Sequence, residues 1–213
     1  MSSPVKSLPT TRVESILLIL MLLLATLFSQ PVLAHHPLGM DEATPLSPVS
    51  GLLSGLAHPV IGFDHAFFLI SIGFIGLTSL RGWVLPLLGV GLTGSFAAQV
   101  INPALLPSGL HVFVALSIGA CGLVALKRLP PLVLLPLMFL HGFALGEQIR
   151  GNETTPIILY FIGLFLSQAV LLIFATYISH FLLNHVKNSF RTYFAWTWIG
   201  LGIAFAWYAS QAA

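Results

Sequence analysis

The stretch HPVIGFDH, from His58 to His65, stands at the mouth of a long apolar run. Two imidazoles and a carboxylate are costly there. An Asp at the centre of a membrane helix costs about 2.5–3.5 kcal/mol on insertion scales, and less near the interface. Such side chains usually face a bundle interior or a wet cavity and mark the path of an ion or substrate. In one unbroken helix, His58 and His65 would share a face to within about 20° but stand about 10 Å apart along the axis. Metal–nitrogen bonds of about 2 Å do not bridge that gap. Pro59 suits the first turn of a helix, which leaves His58 at or before its start, and Gly62 permits an irregular or closely packed segment. Broken backbone is tolerated in a membrane where it lines a protein-enclosed cavity. If the histidines act together, the helix breaks between them; the plainer use of Gly62 is close helix approach.

Composition makes the membrane reading compulsory. The 213-residue chain is 57% hydrophobic and 7% charged, with a mean hydropathy of +0.98. A soluble domain carries about 25% charged residues, so this chain cannot solvate a globular surface. A net charge of +2 without a basic cluster gives no footprint for nucleic acid. The single cysteine, Cys121, lies in an apolar run and forms no internal disulfide. No phosphate-binding loop, G-x-S-x-G elbow or C-x-x-C pair is present, which argues against nucleotide-driven transport by this chain alone.

Lys6 and Arg12 precede an apolar run over residues 16–28, and Val32-Leu33-Ala34 follow it. A basic region, a short apolar core and a small residue before the cut form a secretory signal. Residues 1–34 are therefore expected to be a cleaved signal peptide, and 35–59 an exported N-terminal segment. Residues 60–213 are expected to form an all-α bundle of about six transmembrane helices, over 60–80, 83–101, 110–126, 132–149, 156–183 and 193–208. An uncleaved first helix is the other reading of residues 1–34, and it too leaves residue 35 outside. Arg81, Lys127, Arg128, Lys187 and Arg191 fall in alternate loops, against Arg150 alone in the opposite set. That bias puts the first set in the cytoplasm and both mature termini outside.

With the loops oriented, the polar residues sort by depth. His58, Asp64 and His65 lie in the outer part of the first span, Gln99 near the outer end of the second, and His111 at the outer start of the third. His141 and Glu147 occupy the outward half of the fourth, and Gln168 the middle of the fifth. His111 and Gln99 serve equally as interfacial residues that reach water, and Gln168 with Ser167 as contact between helices. His180 and His185 flank a cytoplasmic loop and read as solvated. Imidazole with carboxylate suits a divalent transition metal such as nickel, cobalt, zinc or copper. His141-Gly142-Phe143-Ala144-Leu145-Gly146-Glu147 repeats the grammar of glycines around a histidine and a carboxylate. The economical reading is one metal site of His58, Asp64 and His65, completed by His141 or Glu147, with His111 nearby. If the signal is cut after Ala34, the new amino group and the rings of His35 and His36 form a nitrogen-rich chelate on the exported side. The plain reading is two polar residues after a signal.

His58, Pro59, Gly62, Asp64 and His65 match the H-P-x-x-G-x-D-H signature, and here the chain resembles the HupE/UreJ family of membrane permeases associated with hydrogenase and urease maturation. The larger nickel/cobalt transporters use H-x4-D-H, whereas this chain has H-x5-D-H. The second family motif resembles H-G-x-A-H-G-x-E. This chain keeps His141, Gly142, Ala144 and Gly146, has Leu145 in place of the second histidine, and brings Glu147 one residue early. The resemblance implies uptake of nickel or cobalt as transported substrate across the bacterial inner membrane, with no organic cofactor, and a functional link to hydrogenase or urease. Two other classes stay open on site chemistry alone: a zinc-dependent intramembrane hydrolase, and a non-transporting accessory protein that binds metal.

Overall fold

The computed structural model describes residues 47–75, 80–102, 109–183 and 188–212, which are all-helical apart from turns and short connections. The expected signal segment, His35, His36 and His185 lie outside the described residues. Among the described residues seven α-helices follow in order: α1 Pro48–Ile61, α2 Phe63–Ile75, α3 Leu85–Val100, α4 Leu110–Ala125, α5 Leu134–Glu147, α6 Thr154–Leu183 and α7 Asn188–Ala212. A π turn over Leu80–Val84 leads into α3, and a 3-10 turn over Pro131–Val133 leads into α5.

Two helical stretches are long and apolar enough to cross a membrane, Gly82–Val100 and Thr154–Phe181. A third joins them if the bent pair α1–α2 is taken as one span. The helices over Leu110–Ala125 and Pro131–Glu147 are apolar but shorter. α6 shows why the chain belongs in lipid. Its buried side carries Tyr160, Leu164, Leu172 and Ala175, while its exposed side carries Ile162, Leu166, Val170, Phe174 and Tyr177. A helix that is apolar on every face cannot be packed against one core and left in water on the other side.

The first described helix begins at Pro48, twelve residues before the start that hydropathy sets at residue 60. Ser47 caps it, its side chain accepting from the Ser50 backbone N–H at 3.1 Å, and Pro48 occupies the first turn, where its missing N–H costs nothing. The segment's Ser, Gly and Pro content hides the helix from a hydropathy reading. Those same small residues pack it. A Cβ on Gly51 would stand 2.5 Å from the Pro156 carbonyl oxygen, and one on Gly55 would run into that of Tyr160.

Three helix pairs carry such backbone-to-backbone contact, and their order gives their direction. Gly51, Gly55 and Gly73 meet Pro156, Tyr160 and Ala175 in turn, so α1–α2 runs parallel to α6. Gly91 meets Gly142, and Ser95 meets Gly146, so α3 runs parallel to α5. Gly119 meets Gly202 whereas Gly122 meets Ala195, so α4 runs antiparallel to α7. Lipid tails are as apolar as leucine, so helix association in a bilayer depends on close packing and interhelical hydrogen bonds. Both are present here. Ser95 Oγ donates to the Gly142 carbonyl at 2.8 Å, Gln99 Nε2 to that of Gly146 at 2.7 Å, and Ser179 Oγ to that of Gly73 at 2.6 Å. Around them one core cluster unites Phe68 and Ile72 of α2, Leu87 of α3, Ile118 of α4, Met138 of α5, Leu172 of α6 and Trp198 of α7.

Candidate metal centre

The backbone breaks between the two histidines, although Pro59 and His58 lie in the last turn of α1 and not at a helix start. α1 ends at Ile61, Gly62 is extended (φ −72°, ψ 96°), and α2 starts at Phe63 with a bend of 68° between the axes. A φ of −72° is open to any residue, so Gly62 is not there for its backbone freedom. It is there for space: a Cβ would lie 2.8 Å from His65 Cδ2, 3.2 Å from the His58 carbonyl oxygen and 3.4 Å from Asp64 Oδ1. The bend brings the rings of His58 and His65 to a centroid separation of 6.3 Å. Asp64 occupies the first turn of α2, where the helix dipole favours a negative charge. Its Oδ1 accepts from the His65 backbone N–H at 2.9 Å and lies 3.8 Å from His65 Nε2.

α5 supplies the third imidazole. His65 Nδ1 and His141 Nδ1 are 2.7 Å apart, and His141 Nε2 lies 2.6 Å from Ser117 Oγ on α4. Phe68 stacks on the His141 ring at 4.0 Å with planes 8° apart, which holds the imidazole's orientation. On the far side of the group, Tyr160 presents an edge to His58 at 6.3 Å and donates from its hydroxyl to the Leu145 carbonyl at 2.8 Å. Leu145, at the position where the family motif carries its second histidine, is buried in an apolar cluster with Tyr160 and Leu164. His58, His65 and His141 are all buried, and His58 Nδ1 has no hydrogen-bond partner.

Three elements thus bring together His58, Asp64, His65 and His141. The other residues that the sequence points to are placed differently. Glu147 is the last residue of α5, six positions or about 9 Å of axis from His141. His111 is exposed in the first turn of α4, likewise six positions from Ser117. Gln99 is engaged between helices, as described above. Gln168 is buried on α6 with its Oε1 unpartnered, beside the Gly91 surface of α3. Among the described residues, no three His, Cys, Asp or Glu side chains converge closely enough to hold a metal ion. Sequence reasoning missed Ser117, Phe68 and Tyr160. A serine, a phenylalanine and a tyrosine are routine in membrane helices, and only contact with an imidazole sets these three apart.

No curated protein and no solved structure matches the chain. The family model described as "HupE / UreJ protein" matches residues 22–206, which covers both His-containing motifs and every described helix but the C-terminal end of α7. The chain belongs to the HupE/UreJ family.

Proposed function

We propose that the chain is a permease that admits nickel or cobalt across the bacterial inner membrane through the His58–Asp64–His65 junction, without nucleotide hydrolysis. The observation that carries the reading is a broken helix with two imidazoles and a carboxylate at its elbow, inside an apolar bundle. The directions of the helix pairs support six spans. Alternating spans require the first and fifth to run together, the second and fourth together, and the third against the sixth. α1–α2 with α6, α3 with α5, and α4 with α7 obey all three requirements. In that topology, with both termini outside, His111 and Glu147 lie outward of the imidazole group and line its approach.

A donor pair of one imidazole and one carboxylate would suit transit. A conduction site has to bind well enough to admit an ion and weakly enough to release it. A negative-inside potential favours inward movement of a cation by about 2.3 kcal/mol per charge per 100 mV. The purified protein in liposomes tests the reading, with influx of nickel, cobalt and zinc measured singly and in competition. Potential-driven nickel or cobalt influx is expected. Tight binding without influx would make the chain a metal-holding accessory protein, and zinc-dependent turnover of lipid or amide would make it a hydrolase.

A further inference from the structure

His141 has no nitrogen to spare. Its Nδ1 faces His65 Nδ1 at 2.7 Å, and its Nε2 faces Ser117 Oγ at 2.6 Å. Each of these contacts needs one proton between the two atoms, and the chain of contacts decides where each proton sits. Ser117 Oγ also donates to the Val114 carbonyl one turn back in α4. A hydroxyl has one proton, so toward His141 the serine can only accept. His141 therefore carries its proton on Nε2 and presents a lone pair on Nδ1. His65 must then donate from Nδ1, which leaves its Nε2 bare. That bare nitrogen faces Asp64 Oδ1 at 3.8 Å, a lone pair against a carboxylate, with His58 across the elbow.

We infer that Ser117 is a positioning residue: through His141, it holds His65 in the tautomer that aims the Nε2 lone pair, together with Asp64, at a divalent cation. His141 then acts by accepting from His65, and it is not itself a ligand. The spacing fits. Metal–nitrogen and metal–carboxylate bonds of about 2.0–2.2 Å together slightly exceed the 3.8 Å separation, so a cation sits between the two donors with a bent angle. Without one, the lone pair and the carboxylate oppose each other. A hydrogen bond on the non-ligating nitrogen of a metal-binding histidine sets the ring's tautomer and orientation, and its loss costs about 10–100-fold in metal affinity. The reversed chain, with Ser117 donating to His141, would put a proton on His65 Nε2. That proton would face Asp64 at 3.8 Å, an attractive contact, but the reversal would take the Ser117 hydroxyl proton out of its 2.5 Å bond to the Val114 carbonyl.

The inference rests on the metal-permease reading, but its decisive measurement does not depend on transport. The full chain, 15N-labelled at histidine and held in lipid nanodiscs without metal, reports ring protonation directly by NMR. His65 is expected with Nδ1 protonated and Nε2 bare, and His141 with the opposite pattern. Ser117→Ala should mix the tautomers and weaken nickel binding, titrated as nickel chloride, by about 10–100-fold. Ser117→Thr, which keeps the hydroxyl, should restore both. His65 protonated on Nε2 would overturn the inference. So would a Ser117→Ala protein with unchanged tautomers and nickel affinity, or a threonine variant as defective as the alanine. Liposome influx that fails while the tautomers stand would remove the transport reading instead.

Discussion

Asp64 is the residue on which electrostatics and position meet. Its carboxylate is fixed by the His65 backbone N–H, and its side chain is about one-third exposed, at the edge of the buried imidazoles. Asp64→Asn keeps the shape and removes the charge. At equal amounts of inserted protein it is expected to cut nickel uptake roughly tenfold or more, about 1.4 kcal/mol. His180→Ala, near the cytoplasmic end of α6 in the proposed topology, should leave uptake close to that of the parent. Equal losses in the two variants would remove the assignment of the elbow as the site. At this scale the sequence singled out residues that stand next to each other along the chain. Asp64 and His65 declared themselves because a carboxylate beside an imidazole in an apolar run has no packing explanation. Ser117 did not, because a serine that bonds back to its own helix is ordinary in a membrane span.

The decisive element is the α1–α2 elbow. Gly62 separates two helices whose histidines would otherwise stand too far apart, and its missing Cβ is the space in which the His65 ring sits. Gly62→Ala imposes no backbone strain at φ −72°, so the protein should fold and insert. The methyl group has to push the imidazole away from Asp64, and nickel affinity is expected to fall by roughly 3–10-fold, about 0.6–1.4 kcal/mol. Calorimetric titration of the solubilised protein measures it. Unchanged affinity would mean that the bend serves packing alone, the plainer use of that glycine in the sequence. The start of α1 was the element that hydropathy misplaced. Ser, Gly and Pro lower the apolar signal of residues 48–59, and it is contact with α6 that makes them helical.

At the scale of the whole molecule, topology is the prediction that all the rest leans on. Reporter fusions after Leu80, Arg128 and Lys187 should read cytoplasm, and fusions after Ala104 and Asn152 should read the exported side. Finding Lys127 and Arg128 outside would invert the bundle and put the imidazoles at the wrong depth. The expected order of six spans came from apolar length and from basic residues in alternate loops. Among the described residues only two helices are long and apolar enough to cross a membrane by themselves, with a third if the bent pair α1–α2 is one span. Short helices such as α4 and α5 gain their place from partners, through glycine faces that let two backbones touch.

Taken alone, the sequence determined the apolar class of the chain, its helical content, the succession of its helices and the motif that places it in its family. Each of these depends on composition or on residues within one or two helical turns of each other. The tertiary structure alone decided which polar residues meet. His65, His141 and Ser117 stand 76 and 24 positions apart along the chain, and they come within hydrogen-bond reach because three glycine-packed helix pairs dock around one core. The same docking leaves Glu147 at the end of α5, more than a turn and a half from His141. Spacing along a helix is legible in one dimension. The rotation and depth at which one helix meets another are set by side-chain and backbone contacts summed over the whole bundle, and no local pattern encodes them.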